Sequence, residues 1–217
     1  MQLLNGLKII QMGLKTLVKV GEISNLSDAR YCAGMGVEML GFNLNPEDPK
    51  FISPQSFKEL TGWIAGVKYV GEFHHMSALE IQLAAADYEL DYIQIENLDI
   101  LTDVAGIGTP TIFKLNIDQL EILYNLSNLL ELIGEHTQQV IITSTNTSLY
   151  DLIEKDISEI NSELQIIRGF NVTVNNLNDL IGSGVYAGLA LAGGDESRPG
   201  YNEYGNLMDI LEALDED

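Results

Sequence analysis

The chain has 217 residues, 46% of them hydrophobic, and its 32 acidic residues against 11 basic ones leave a net charge of −21. That imbalance removes the basic face that nucleic acid binding needs and repels anionic lipid, so neither partner is expected. No apolar run reaches the roughly eighteen residues of a membrane-spanning helix. The first eight residues, Met1 to Lys8, lack the basic start, long apolar run and small-residue cleavage site of a signal peptide. Cys32 is the one cysteine, which excludes an internal disulfide and fits a cytoplasmic location.

Residues 1–16 precede the first strand pattern and read as a short N-terminal extension; residues 17–217 read as one domain. The first strand is Leu17–Ile23, followed by Ser24 and Asn25, cap-type residues ahead of a helix that carries Cys32. Cys32 sits there among Ala29, Ala33 and Gly34 and reads as a small core residue, not a nucleophile. Met39–Leu44 is the second strand, and Ser53-Pro54 then pairs a cap with a first-turn proline. Val67–His74 is the third, followed by a helix that Ser77 opens. Asp91–Glu96, Thr111–Ile117, Gln139–Ser144, Gln165–Phe170 and Tyr186–Gly193 complete the strands, with helical patterns at Asn175–Ile181 and Gly205–Leu214.

Strict strand–helix alternation predicts a parallel sheet with right-handed crossovers. Eight such units in a chain of this length predict an α/β fold, a single (β/α)8 TIM barrel. An open doubly wound sheet is the competing arrangement. It usually carries a glycine-rich phosphate loop after its first strand, and Gly21-Glu22-Ile23-Ser24 is not one.

Function in a barrel sits at the C-terminal ends of the strands. Those ends deliver Glu22, the loop with Lys50, Glu72 with His74 and His75, Gln94 with Glu96, Lys114, Thr143, Arg168 with Gly169, and Gly193-Gly194. The loops after strands seven and eight are the usual phosphate site of the fold, so Gly169, Gly193 and Gly194 are candidates to hold an anion, against the alternative of ordinary strand-to-helix turns. Asp195 and Glu196 would oppose an anion if they faced it. His74 and His75 are adjacent on a strand and point to opposite faces, so they do not form a metal pair. Glu22, Glu72, Glu96 and His74 would have to converge to hold zinc. No metal and no cofactor is expected.

Several stretches, in order along almost the whole chain, resemble the phosphoribosylanthranilate isomerase family of tryptophan biosynthesis. Lys19-Val20-Gly21-Glu22-Ile23-Ser24 resembles its Lys-Ile-Cys-Gly-Ile-Thr. Pro49-Lys50-Phe51-Ile52-Ser53-Pro54 resembles Pro-Arg-Tyr-Val-Ser-Pro. Val67-Lys68-Tyr69-Val70-Gly71-Glu72-Phe73 resembles Val-Lys-Thr-Val-Gly-Val-Phe, and Tyr92-Ile93-Gln94-Ile95-Glu96 resembles a strand ending Val-Gln-Leu-His. Gly194, Glu196, Ser197, Pro199 and Gly200 match a Gly-Val-Glu-Ser-Ser-Pro-Gly run.

The resemblance implies the barrel, a phosphorylated ligand and an Amadori rearrangement that needs a general base and a general acid. The family's base is a cysteine, and Gly21 stands there. Its acid is an aspartate at the end of strand six, and Thr143 stands there. Its substrate-binding arginine is Lys50, which keeps the charge and loses the bidentate fork. The Gly-Gly-Thr-Gly loop is replaced by Ser144-Thr145-Asn146-Thr147, a strand-eight aspartate falls on Ala190, and a strand-seven glycine falls on Phe170.

Scaffold residues match and chemical residues do not. Three readings follow. The first is a non-catalytic relative that binds a small ligand, phosphorylated or not, or a protein partner at the strand ends through Lys50, Gln94, Gly169, Gly193 and Gly194. The second is an enzyme of altered chemistry with Glu22 or Glu96 as base, since a carboxylate buried beside another can titrate near neutrality. The third retains the isomerisation of a phosphorylated sugar derivative, with Glu22 displaced into the base's role.

Overall fold

A computed structural model describes residues 13–160, 163–193, 196–198, 201–202 and 205–215. Eight parallel strands close on themselves in sequence order: β1 Leu17–Gly21, β2 Met39–Asn43, β3 Lys68–Glu72, β4 Tyr92–Ile95, β5 Thr111–Asn116, β6 Gln139–Thr143, β7 Gln165–Arg168 and β8 Gly188–Ala192. The expected (β/α)8 barrel is the observed fold. Five register pairs, from Leu17↔Gly188 to Gly21↔Ala192, join the first strand to the last. A Cβ on Gly188 would stand 2.6 Å from the Leu17 carbonyl oxygen, so glycine lets the two strands meet there.

The helices alternate with the strands. Helix α1 is Leu26–Gly34, α2 Pro54–Thr61, α3 Ala78–Ala85, α4 Leu101–Ala105, α5 Leu120–Tyr124, α6 Leu126–Gly134, α7 Tyr150–Glu159, α8 Leu177–Ser183 and α9 Gly205–Leu214. The starts read from the sequence are chemical caps. The Asn25 side chain accepts from the Asp28 N–H, Ser53 accepts from the Ser56 N–H ahead of Pro54, and Ser77 forms a reciprocal capping box with Glu80.

Each observed strand ends one to two residues before the sequence pattern does. The reason is that Ile23, Leu44, Phe73, Ile117 and Phe170, just past the strand ends, stay buried in the core after the chain has left the sheet. Glu22, His75 and Asn171 make these exits with positive φ of 56°, 56° and 46°.

Side chains alternate between two cores. Outward-facing strand residues such as Val18, Val20, Leu40 and Phe42 pack under the helices. Leu17, Met39, Val70, Tyr92, Ile112, Ile141, Ile167 and Ala190 make a separate inner cluster, one residue from each strand. Two residues further along each strand comes the next inward layer: Lys19, Gly41, Glu72, Gln94, Lys114, Thr143, Gly169 and Ala192. The apolar plug below therefore hands over to a polar layer at the C-terminal end.

Of the N-terminal extension, Leu14 bridges Asp215, and the Lys15 N–H donates to the Leu214 carbonyl at 2.9 Å, tying this segment to the end of α9. Residues 1–12 lie outside the described residues, as does Gly194. A two-stranded ribbon, Glu196–Arg198 with Tyr201–Asn202, follows β8. Among the described residues no helix is long and apolar enough to cross a membrane.

Candidate functional site at the barrel mouth

A cleft of about 140 Å³ opens at the C-terminal end, lined by Lys19, Glu72, Gln94, Lys114, Thr143 and Gly169 among others. Larger hollows, about 650 and 510 Å³, lie at the barrel foot around Gln138 and Thr137. They carry no comparable convergence of charge and lie at the end of the fold that serves stability, so the mouth is the candidate site.

Three lysine–glutamate pairs organise it. On the floor, the Lys19 ammonium donates to Glu72 Oε1, both side chains being almost wholly buried. The second Glu72 oxygen accepts from the Glu22 backbone N–H at 3.0 Å. Burial opposes the Glu72 charge, but Lys19 and these hydrogen bonds outweigh it and hold the carboxyl below its ordinary range.

The second pair is at the rim, where Lys50 donates to Glu22 at 2.6 Å, with both groups about two-fifths exposed. The third spans β4 and β5, where Lys114 donates to Glu96 Oε1 at 2.7 Å and His74 Nδ1 approaches the same oxygen at 3.1 Å. The hydrogen bond with His74, aided by Lys114 and opposed by burial, brings the Glu96 carboxyl down to about 2, while the same contact raises His74.

The space around Glu72 is the most informative geometry. A Cβ built on Gly21 would stand 2.7 Å from Glu72 Oε1, and one on Gly41 2.2 Å from it. Two glycines on neighbouring strands thus form a slot, and the carboxylate from β3 fills it. Gly21 falls where the resembled first-strand motif carries cysteine, and Glu72 falls on a valine of the third-strand motif. Glu22 falls where that first-strand motif has glycine and adopts a left-handed backbone, a conformation costing a non-glycine residue about 1–2 kcal/mol.

The other residues singled out in the sequence fall as follows. Gln94 is buried in the cleft wall, and its Oε1 has no hydrogen-bond partner among the described residues. Gly169 lines the cleft, but its N–H donates to the Ile142 carbonyl at 2.8 Å, and the Gly193 N–H donates to the Gly21 carbonyl at 2.8 Å. A Cβ on Gly193 would stand 3.0 Å from the Gly21 oxygen, so this glycine serves the barrel seam. Thr143 donates weakly to the Leu115 carbonyl at 3.5 Å. In the loop after β6, the Thr145 and Asn146 N–H groups donate to Asp118 at 2.6 and 3.2 Å.

Arg168 turns away from the mouth and is buried against the Phe170 ring at 4.0 Å, paired with Glu154. Cys32 is buried in α1, and burial pushes its thiol up to about 12. No group of three or more His, Cys, Asp or Glu side chains placed to hold a metal occurs among the described residues.

Sequence reasoning about catalysis singled out Glu22 and Glu96 and passed over Lys19 and Glu72, which form the floor. The available signal was a charged residue of opposite sign within each of two apolar strand patterns, Lys19 and Glu72, together with Gly21 and Gly41.

No protein-family model matches the chain. The N-(5'-phosphoribosyl)anthranilate isomerase of Maridesulfovibrio salexigens is 27% identical over 101 residues, 46% of this chain and 48% of that relative. The match therefore spans about half of each protein. Among solved structures, phosphoribosyl anthranilate isomerase from Thermotoga maritima superposes with a TM-score of 0.72 at 17% identity, covering 92% of this chain and 98% of that one. The chain shares its fold. The Thermus thermophilus enzyme gives 0.69 at 19% identity over the same shares, 92% and 98%. A phosphoribosyl anthranilate isomerase in complex with reduced 1-(o-carboxyphenylamino)-1-deoxyribulose 5-phosphate gives 0.71 at 17% identity, again over 92% and 98%.

Proposed function

We propose that the chain is a divergent relative of the phosphoribosylanthranilate isomerases whose barrel mouth binds a small ligand, and that it does not run their cysteine–aspartate rearrangement. One observation carries this reading: the slot that a side chain on Gly21 would occupy holds the Glu72 carboxylate, already bonded to Lys19 and to the Glu22 N–H. The acid's position offers only the Thr143 hydroxyl, too weak to protonate a leaving oxygen at neutral pH. The ordered motif matches and the curated relative support ancestry. Lys50 at the rim and Gln94 and Gly169 in the cleft are the contacts we assign to the ligand, with Gly193 closing the seam beside them.

Altered chemistry with Glu22 or Glu96 as base is less favoured. Glu22 is spent on Lys50, and a carboxyl held near 2 is a poor proton acceptor at neutral pH.

Phosphoribosylanthranilate generated in situ and assayed at high protein concentration should show no turnover above background. The reduced carboxyphenylamino-deoxyribulose 5-phosphate should still perturb the NMR signals of Lys50 and Gly169. Turnover that Glu22→Gln or Glu72→Gln abolishes would overturn the reading.

A further inference from the structure

One carboxylate oxygen at the mouth serves two cationic side chains. Glu96 Oε1 accepts from the Lys114 ammonium at 2.7 Å and lies 3.1 Å from His74 Nδ1. Lys114, on β5, lines the cleft. Glu96, just past β4, lines a neighbouring hollow of about 310 Å³ together with Phe73, His75 and Met76. The other two ion pairs of the mouth match one lysine to one glutamate. Here a protonated His74 makes two cations to one carboxylate, and the single negative charge is divided between them. A neutral imidazole can keep the hydrogen bond but brings no positive charge, so Glu96 then offsets Lys114 alone.

The charged groups acting on His74 come from every element around it. Glu96 past β4 and Glu72 on β3 favour its positive form, and Lys114 on β5 opposes it. Asp48, in the loop after β2, attracts it while accepting from the Lys50 N–H at 2.8 Å. The hydrogen bond to Glu96 is the largest of these influences and, against burial, holds His74 above its ordinary value. The side chain is 19% exposed, so protons from solvent reach it.

Resting on the reading that the mouth binds a small molecule, we infer that His74 is a proton-operated switch on Lys114, through which the mouth holds an anionic group of its ligand more tightly at lower pH. With His74 protonated, Glu96 shares its charge with the imidazolium, and Lys114 keeps positive charge for an anion in the cleft. With His74 neutral, Glu96 cancels Lys114 and that wall of the cleft loses its attraction. By linkage, an anion bound beside Lys114 raises the proton affinity of His74 by the same factor.

The test uses the whole isotopically labelled chain with inorganic sulfate, whose charge is the same at about pH 6 and about pH 8.5, at an ionic strength kept constant with chloride. The His74 ring signals are assigned by their loss in His74→Gln. Sulfate should bind the wild type at least about fivefold more tightly at the lower pH, the low end of ordinary coupling between sites. It should also move the titration midpoint of the His74 ring upward. His74→Gln should bind sulfate equally at both pH values, and Lys114→Met should lose the pH-dependent part of binding. If His74→Gln does not fold, His74→Asn takes its place.

Equal sulfate affinity of the wild type at both pH values overturns the inference, as does a pH dependence that survives in His74→Gln. A pH dependence that survives in Lys114→Met puts the anion on His74 itself and overturns the switch. The reduced carboxyphenylamino-deoxyribulose 5-phosphate perturbing Lys50 and Gly169 while sulfate leaves the His74 midpoint unmoved overturns the inference and leaves the parent reading standing. No response to either compound overturns both.

Discussion

Glu72 Oε1 occupies the position next to which a side chain on Gly21 would have to grow, 2.7 Å from its Cβ. The two residues sit on β3 and β1 and are complementary in volume: one strand carries no side chain where the other places a carboxylate. Substitutions at the two positions should therefore be coupled. Gly21→Cys alone overpacks the floor and should cost about 1–3 kcal/mol. Combined with Glu72→Val it should cost less than the sum of the single changes, by more than about 0.5 kcal/mol. Urea unfolding of the four proteins in the cycle measures this, and strict additivity would sink the idea that they share one space.

The Lys19–Glu72 pair itself can be broken from either end. Glu72→Ala leaves a buried ammonium without its counter-charge and should destabilise the protein by about 3–5 kcal/mol. Adding Lys19→Met, which removes the orphaned charge and keeps an apolar stem, should recover a substantial part of that loss. A double variant as unstable as Glu72→Ala alone would count against the pair.

Acid and base act on the third pair in opposite directions. Glu96, lowered from 4.5 to about 2, contributes stability that is present above its ordinary value and lost as pH falls towards 2. His74, raised above 6.5, contributes stability that is complete below 6.5 and lost as pH rises through its folded value. The stability advantage of the wild type over Glu96→Gln should be greatest between pH 4.5 and 6.5 and decline on both sides. Denaturation midpoints across that range check it. Glu96 is about two-fifths exposed, so salt should flatten the profile.

Arg168 is the largest fully buried side chain among the described residues, donating to the Phe170 carbonyl at 2.9 Å and to the Tyr186 hydroxyl at 3.1 Å while pairing with Glu154. Arg168→Lys keeps the charge but loses the planar fork and the ring stack. It should cost about 2–4 kcal/mol, close to the loss in Arg168→Met. Thermal unfolding distinguishes this from a role that charge alone fulfils, in which lysine would rescue.

The barrel was legible in the sequence because every strand carries its own periodic signal, and the caps Asn25, Ser53 and Ser77 are local. The mouth was only partly legible, because its key relationships cross strands. Gly21 reads, along one strand, as a position without a side chain. That Glu72 fills the same space depends on how β1, β2 and β3 lie side by side, with Asn43 opposite Glu72 in register. The direction of the Glu22 side chain was not legible for a related reason. Its positive φ ends the strand and takes its carboxylate to Lys50 at the rim, whereas a continuing strand leaves its direction to alternation alone. Gln94, in contrast, is placed in the middle of its strand, where alternation is reliable, and it faces the cleft.

The seam between β1 and β8 has a kinetic consequence. Leu17↔Gly188 and Gly21↔Ala192 join segments about 170 residues apart in the chain, so this contact closes the longest loop in the barrel. Such pairings are slow, since their entropy is spent before any contact rewards it. Lys19 lies on one side of that seam, and Ala190 and Ala192, which line the same cleft, lie on the other. Closing the seam therefore brings the β8 wall of the cleft against Lys19, and a species in which only the first seven strands have paired would hold the Lys19–Glu72 floor open on one side.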